Sequence, residues 1–421
     1  MVSKRSAKKS PKKRTKKLLK KSVKTKKTQT YEVENEILMI KDFNHISGNN
    51  CQLSSLRKVL AYHNLELSEN MLLGIASGIG FIYWAMKLMP TPFVGGLNGK
   101  DITLFENILL RLGGTAKLLK TGSLKVSYKQ FKDYLRQGEP LLSFVDMAYL
   151  TYFYGDNSSY PMDKNHFGGH TMVVYGLDEP KNIVYVSDHF QRSTTLTIQQ
   201  YMDAHSSKHV PFAAKNRKLQ FTFPNELPDL EPIIIEAIKE NSSVMINPPI
   251  RNLGLKGMLK FKDMVATWPK IYKGENLLLS LIMTFIYNQT GGTGGAMFRN
   301  MYTEFLSEAY ELTENDILKE ATNIYRQAAA AWDNVSVCLL PNELPSLKEI
   351  RLAFLESSKV QMEALPDYRK KLQEIDDRLK SHMTTALKEI QEFQKYIPAL
   401  QGAIQEAHDL EAKAWAVLSK I

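Results

Sequence analysis

Apolar residues recur every three or four positions directly after the motif Gly48-Asn49-Asn50-Cys51, at Leu53, Leu56, Val59 and Leu60. This spacing predicts an amphipathic helix, and the small, turn-forming residues before it place its start near Cys51. Similar periodicity predicts helices over 68–77, 99–112 and 129–137. The first part of the chain therefore contains helices of ordinary length, separated by segments with a different pattern.

Runs of β-branched and aromatic residues predict strands over 141–145, 170–176 and 182–188, with a further strand over 193–198. Turn-forming residues at 177–181 separate the second and third strands, so these two are predicted to form an antiparallel hairpin. Helices and strands thus alternate irregularly up to about residue 223. This mixture predicts an α+β domain.

After a linker rich in proline and acidic residues, 224–232, the periodicity is helical throughout. Predicted helices cover 232–241, 274–288, 296–312, 314–337, 346–364, 367–397 and 398–421. Charged faces alternate with apolar stripes, which favours an antiparallel bundle. We predict four parts: a disordered Lys-rich tail (1–30), a catalytic domain (31–223), a helical second domain (224–341) and a C-terminal helical extension (342–421).

Charge separates the tail from the rest of the chain. The formal net charge is +11, but the first 30 residues hold 14 of the 55 Lys and Arg and no Asp or Glu. The rest of the chain therefore holds 41 basic and 44 acidic residues, a net charge of −3. A tail of one sign attracts an acidic protein, nucleic acid or an anionic membrane without distinguishing between them, and it can also be a solubilising extension.

The two cysteines, Cys51 and Cys338, argue against a disulfide scaffold and are typical of a reducing, cytoplasmic protein. The longest apolar run, 276–287, has the length of a buried helix and is too short to span a membrane. The N-terminus lacks the apolar segment of a secretion signal. Cys338 lies in an apolar run with no histidine nearby and is predicted to be a core thiol.

Cys51, His170 and Asp188 form a candidate catalytic triad. A thiol at a helix N-terminus is stabilised as the thiolate by the helix dipole. His170 begins one predicted strand and Asp188 ends the next, so the hairpin brings them together, with Asp188 placed to orient an imidazole that we expect to be exposed. The order along the chain is nucleophile, base and orienting acid.

Other motifs have weaker chemical interpretations. His166, His170, Asp188 and His189 have ligand chemistry for zinc, but 167–169 is predicted to be a loop, so we predict no metal and no cofactor. The glycine-rich segment 291–295 is either a helix connection or a phosphate cradle assisted by Arg299. Candidates for lining an acceptor cleft are the loop tyrosines Tyr149, Tyr152, Tyr154 and Tyr160.

The chain also resembles known families. The segment HTMVVYGLDEPKNIVYVSDHF is similar to the histidine and aspartate strands of bacteriocin-leader peptidases. GNNCQLSSLRKVLAYHNLELSE together with GIASGIGFIYW resembles the N-terminal domain of butirosin biosynthesis protein H. GGTGGAMFRNMYTEFLSEAYEL and AAAAWDNVSVCLLP resemble the helical domain of unknown function that often follows it. These likenesses cover about residues 43–341.

The resemblance implies a papain-like fold and an acyltransferase that moves an acyl group from a carrier-protein thioester to an amine. Cys51 would accept the acyl group, His170 would act as general base and acid, and Asp188 would orient His170. The oxyanion glutamine of the peptidases is replaced here by His45. Asn49, Asn50 and the Cys51 N–H are the candidate replacements.

We therefore predict a cysteine-dependent acyltransferase with an acyl carrier protein and a small-molecule amine as partners. A cysteine peptidase or amidase using the same triad is the first alternative, because both reactions share an acyl-enzyme. The second alternative is a binding module without catalysis on the same fold. The helical domain is a candidate surface for homo-oligomer formation.

Overall fold

A computed structural model describes residues 31, 33–86, 89–99, 102–157, 166–210 and 212–421. The predicted basic tail, 1–30, and Tyr160 lie outside the described residues. The described chain is a mixed α/β structure with an antiparallel sheet and a helical C-terminal region, which confirms the predicted combination of classes.

Among its described residues, the first part contains nine strands, five α-helices and two 3-10 segments, Met147–Tyr149 and Thr151–Phe153. Its strands are β1 (Ile37–Met39), β2 (Ile79–Trp84), β3 (Phe93–Leu97), β4 (Thr115–Leu119), β5 (Leu141–Val145), β6 (His170–Asp178), β7 (Ile183–Ser187), β8 (Thr194–Thr197) and β9 (Lys218–Thr222). Its helices are α1 (Cys51–Tyr62), α2 (Glu69–Ile75), α3 (Thr103–Arg111), α4 (Leu124–Arg136) and α5 (Ile198–Ser206). Seven strands form one sheet in the order β4-β9-β5-β6-β7-β8, with β1 paired to the far end of β6. The predicted hairpin is confirmed, because β6 and β7 pair antiparallel.

The second part is helical throughout the described residues. It contains α6 (Leu230–Ile246), α7 (Gly254–Val265), α8 (Trp268–Ile271), α9 (Glu275–Gln289), α10 (Arg299–Thr313), α11 (Asp316–Leu339), α12 (Pro345–Glu363), α13 (Tyr368–Glu389) and α14 (Ile397–Leu418). Short 3-10 segments cover Ala296–Phe298 and Ile390–Tyr396. Within the described chain, none of these helices combines the length and apolar character that crossing a bilayer requires.

Two apolar cores lie on opposite sides of the sheet. The smaller core fills the space between one sheet face and helices α4 and α5. The larger core contains residues of α1 to α3, the β2–β3 hairpin and most of the second part. It therefore includes residues from both sides of the predicted boundary at 223, and that boundary stays a prediction.

The β2–β3 hairpin joins the two parts of the chain. The backbone N–H of Tyr83 donates to the carbonyl of Asn252 at 2.9 Å, and the Asn252 amide donates back to the Tyr83 carbonyl at 2.8 Å. Trp268, fully buried, donates its indole N–H to the Tyr83 hydroxyl. These contacts fix the helical region against the side of the sheet that carries α1.

A buried ion pair holds the helical region together. Arg299 and Glu411 are both fully buried, and the guanidinium donates to the carboxylate at 2.8 and 3.1 Å. The indole N–H of Trp332 donates to the same carboxylate at 2.6 Å. Arg299 also donates to the carbonyl oxygens of Met297 and Gly80. All charged atoms of the pair are thus compensated, which a buried ion pair needs.

The substitution Glu411→Ala is expected to lower the free energy of unfolding by about 3–5 kcal/mol, because it leaves a buried guanidinium without its counter-charge. Denaturant unfolding followed by far-UV circular dichroism measures the change. Glu392→Ala, which removes the acid of an exposed pair with Lys395, is the control and should shift the midpoint little. Equal effects of the two substitutions would show that the buried pair does not stabilise this region.

Candidate active site

Cys51 is the first residue of α1, as predicted, and Asn50 caps the helix. The Asn50 side-chain oxygen accepts hydrogen bonds from the backbone N–H groups of Gln52 and Leu53 at 3.0 and 3.1 Å. Because an Asn side chain at the cap satisfies two of the free N–H groups, the helix starts sharply at this residue. The thiol therefore lies at the positive end of the helix dipole.

His170 and Asp188 meet at the end of the β6–β7 hairpin. His170 Nε2 and Asp188 Oδ2 are 2.8 Å apart. Cys51 lies close to the same imidazole, because the charge of His170 and a hydrogen-bond interaction with its side chain act on the thiol, as does the backbone of Thr171. The structure thus brings together the three residues that the sequence singled out.

The expectation of an exposed imidazole at position 170 is wrong. Only 3% of His170 is exposed. The ring of Phe153 stands edge-on to it with the ring centroids 5.2 Å apart, and His189 lies on another side at 5.7 Å. Packing by these aromatic residues holds the imidazole in place and limits the access of water to it.

Asp188 is fully buried and accepts four hydrogen bonds. Oδ2 accepts from the Tyr152 hydroxyl at 2.8 Å as well as interacting with His170. Oδ1 accepts from the backbone N–H of His189 at 2.7 Å and lies 2.8 Å from its Nδ1. Burial by itself would raise the pKa of Asp188, but the charges and hydrogen bonds of His170 and His189 outweigh it and hold the pKa well below its usual value.

Burial and nearby charges also oppose each other in setting the pKa values of Cys51 and His170. Here too the charges outweigh burial, which favours an ion pair between thiolate and imidazolium. Burial opposes the thiolate, but the charge and hydrogen bond of His170 outweigh it, so the pKa of Cys51 is lowered. Burial also opposes the imidazolium, but Asp188 and Cys51 raise the pKa of His170 to about 10. Both shifts act in the direction of the charged pair, a Cys51 thiolate beside a protonated His170.

Two residues of this network have roles that the sequence analysis missed. Tyr152 was a candidate for lining an acceptor cleft, but it is buried and its hydroxyl fixes the Asp188 carboxylate. His189 was considered only as a metal ligand. Its position next to Asp188 in the chain was the available signal, because the backbone N–H of the following residue can bind the carboxylate.

Most of the proposed oxyanion donors already have hydrogen-bond partners in the structure. The backbone N–H groups of Asn49 and Asn50 donate to Glu69 at 2.8 and 2.6 Å. The Asn50 amide donates to the Gly292 carbonyl at 2.9 Å, while its oxygen caps α1. These donors are used because buried polar groups need partners. The Asn49 side chain and the N–H of Cys51, which has no acceptor within the helix, are the candidates that remain.

His45, at the position of the peptidase glutamine, does not point a free donor at the site. Its Nδ1 lies 2.6 Å from the Ser187 hydroxyl and its Nε2 lies 2.7 Å from the Phe190 carbonyl. Both ring nitrogens are therefore engaged. The side chain links the segment before α1 to the end of β7, where Asp188 follows.

A polar cleft of about 150 Å³ opens next to the segment that leads into α1, although Cys51 is not among its lining residues. Its walls come from the lead-in to α1, the end of β7, the glycine-rich segment and α12. The lining residues are Asn49, His189, Phe190, Gln289, Thr290, Gly292, Thr293, Gly294, Gly295, Ser358, Gln361 and Met362. The helical region thus completes the surface next to the nucleophile.

Arg299 cannot assist a phosphate at the glycine-rich segment, contrary to the sequence-based suggestion. It is fully buried and its guanidinium is bound to Glu411 and to backbone carbonyls. The segment itself is held by the Asn50–Gly292 hydrogen bond and runs into three left-handed residues, Ala296, Met297 and Phe298, with φ of 47°, 50° and 72°. Left-handed backbone costs about 1–2 kcal/mol for each such residue, and the buried packing around it compensates.

The candidate zinc ligands separate into two groups. One ligand atom each of His170, Asp188 and His189 lies within 4.8 Å of the others. His166 is not among them, because its Nδ1 lies 2.8 Å from Asp146. His170 and His189 are each hydrogen-bonded to Asp188. The absence of a metal stays a prediction.

Cys338 and the two other described tyrosine candidates, Tyr149 and Tyr154, pack within the fold. Cys338 is partly buried against the larger core, and burial raises its pKa. The Tyr154 hydroxyl donates to the Met147 carbonyl, and Tyr149 lies beside His166. Neither tyrosine is among the residues that line the cleft.

The described fold and site define a mixed α/β protein in which a partly exposed cysteine lies beside a buried His–Asp pair, at the junction of a sheet and a helical region. Residues 50–189 match the family described as butirosin biosynthesis protein H, N-terminal, and residues 199–346 match a domain of unknown function, DUF4872. These two matches, in this order, confirm the resemblance to the butirosin biosynthesis protein H-like family with a second domain of unknown function following the first. No curated protein matches the chain.

Iodoacetamide at pH 7 is expected to label Cys51 at least about ten times faster than Cys338, because the pKa of Cys51 is lowered and that of Cys338 is raised. Peptide mass spectrometry of the native protein measures both rates. The ratio should collapse after unfolding in denaturant, where both thiols have the same ordinary pKa. Equal or reversed labelling in the native protein would count against an activated Cys51.

Proposed function

We propose that the chain is a cysteine-dependent acyltransferase whose residues 31–223 form a papain-like catalytic domain. One observation carries the proposal: Cys51 begins a helix and lies beside His170, and Nε2 of that imidazole lies 2.8 Å from Asp188. This arrangement supplies a nucleophile, an acid and base, and an orienting group.

In the first step the Cys51 thiolate attacks the carbonyl carbon of an acyl thioester. The carbon–sulfur bond to the carrier breaks, and the carrier thiol leaves with the proton of the His170 imidazolium. Cys51 then holds the acyl group, and His170 is neutral. The N–H of Cys51 and the side chain of Asn49 are the proposed donors to the oxyanion that forms on the carbonyl.

In the second step an amine attacks the acyl group on Cys51. Neutral His170 takes a proton from the amine, the acyl–sulfur bond breaks, and an amide is released together with the regenerated thiolate and imidazolium. The polar cleft lined by Asn49 and His189, the neighbours in sequence of the α1 start and of Asp188, is the proposed site for the acceptor. Since His170 is buried, the acceptor reaches the acyl group from the side of the partly exposed Cys51.

Transfer is favoured over hydrolysis by the family match, since the matched N-terminal domain is that of a biosynthesis protein. An acyl carrier protein is the proposed donor, and the 14 basic residues of the tail would attract its acidic surface. A cysteine peptidase or amidase remains the alternative function, because water in place of the amine releases an acid from the same intermediate. A binding module without catalysis is the other alternative.

Incubation of the full-length protein with carrier-bound acyl thioesters is expected to add one acyl mass to wild type and to Cys338→Ala, and none to Cys51→Ala. His170→Gln should slow the acylation by roughly 100-fold or more, because it removes the general acid and the counter-charge of the thiolate. Intact mass spectrometry measures the adduct. Circular dichroism of each variant verifies the fold, which matters because His170 is buried.

The fate of the adduct decides between the alternatives. A transferase predicts that added amines discharge the acyl group as an amide, faster than water releases it. Discharge at one rate with and without amines, yielding only acid, would indicate a hydrolase. A protein that never takes up an acyl group from any donor, carrier-bound or small, would be better described as a binding module.

A further inference from the structure

A buried polar row runs along α1 behind the nucleophile. Ser55 and Lys58 follow Cys51 by four and seven positions, and therefore share its face of the helix. Ser55 is fully buried and only 1% of Lys58 is exposed. Helix α1 packs on β6, where Thr171 is also fully buried.

Together with Thr171 of the adjacent strand, this row contains three polar atoms that have no hydrogen-bond partner among the described residues. They are Ser55 Oγ, Lys58 Nζ and Thr171 Oγ1. Buried polar atoms usually have partners, and a buried ammonium group without one is costly unless nearby charges compensate it. The row is therefore a feature that packing alone does not explain.

The charges around Lys58 are those of the site. Its attractive neighbours are Asp188, Glu69 and Cys51, while Arg57 on the same helix repels it. The charge of Lys58 also acts on His45 and His189, because it contributes to lowering the pKa of each.

Burial lowers the pKa of Lys58 to about 8, and the attraction of Asp188, Glu69 and Cys51 prevents a larger fall. At neutral pH the side chain is thus mostly an ammonium group. Because electrostatic coupling is reciprocal, the cation that Cys51 stabilises must in turn stabilise the Cys51 thiolate.

We propose that Lys58 is a positioning residue of this site, whose buried ammonium group offsets the negative charge of Asp188 and Glu69 and thereby keeps Cys51 ionised. As a thiolate–imidazolium pair, Cys51 and His170 have no net charge, whereas the carboxylates of Asp188 and Glu69 add negative charge to the site. Without Lys58 the thiolate would form in an environment of uncompensated negative charge, which disfavours it.

This role differs from that of His170. Lys58 is buried two helical turns behind the nucleophile, so its proposed effect passes through the charges of the site. The inference rests on the proposed role of Cys51 as nucleophile. Its test measures thiol ionisation and not acyl transfer, so the two proposals can fail separately.

The test compares the pH dependence of Cys51 alkylation by iodoacetamide in full-length variants, from about pH 5 to about pH 9. Lys58→Met keeps the length of the side chain and removes its charge. Its alkylation midpoint is expected about one unit above that of wild type. Lys58→Arg keeps a permanent charge and should leave the midpoint near the wild-type value.

Lys218→Met is the matched control. Lys218 is also fully buried, has no partner for Nζ among the described residues, and has a pKa lowered by burial to about 8. It lies on the opposite face of the sheet, beside α5, and its removal should leave the Cys51 profile unchanged.

An unchanged midpoint in Lys58→Met would overturn the proposal, as would equal shifts in the Met and Arg variants. Should Lys58→Met fail to fold, Lys58→Gln replaces it, since an amide can bind the hydroxyl groups of Ser55 and Thr171. The same upward shift is expected for Lys58→Gln, and its absence in that folded protein also overturns the proposal.

Discussion

The arrangement of the site depends on the carboxylate of Asp188. This side chain has no contact with solvent, and both of its oxygens accept two hydrogen bonds. Four donors keep it ionised in spite of burial, and an ionised Asp188 keeps His170 protonated. The positive His170 in turn lowers the pKa of Cys51. The reactivity of the thiol is thus set by a carboxylate that the substrate does not need to touch.

The helical region contributes to the same site from the other side. Its glycine-rich segment accepts a hydrogen bond from Asn50, the residue that caps the helix of the nucleophile. The buried pair of Arg299 and Glu411 lies behind this segment and holds the left-handed residues that follow it. Glu411 lies on α14, beyond the end of the second family match at residue 346. The C-terminal helices therefore support a cleft wall that belongs to the site.

The sequence predicted the elements whose periodicity is strong and local. Strand β5 was predicted with its observed ends, and α1 and the β6–β7 hairpin to within two residues. The sequence pattern did not predict β4 and β9, because each of these short runs includes a lysine. One of these lysines, Lys218, is buried by the neighbouring strands. The β2–β3 hairpin was also missed. Its partners lie in the helical region, about 170 residues further along the chain.

The nucleophile and its two partners could be singled out because each lies at the end of an element, where the local pattern shows it. Tyr152 and the partners of Asn50 could not be assigned, since their roles depend on contacts between distant segments. The partners of the oxyanion candidates could not be predicted for a related reason. The N–H groups near Cys51 looked free in the sequence, but Glu69, at the start of the next helix, binds two of them.

The central claim is that Asp188 holds His170 as an imidazolium opposite the Cys51 thiolate. Nuclear magnetic resonance of the histidine-labelled protein tests it directly, with the His170 signals assigned by their loss in a His170→Gln variant. The account predicts that His170 remains protonated at pH 8, well above the ordinary histidine pKa of about 6.5. It also predicts that Asp188→Asn lowers the His170 pKa. A neutral His170 at pH 7 in the native protein would contradict the account.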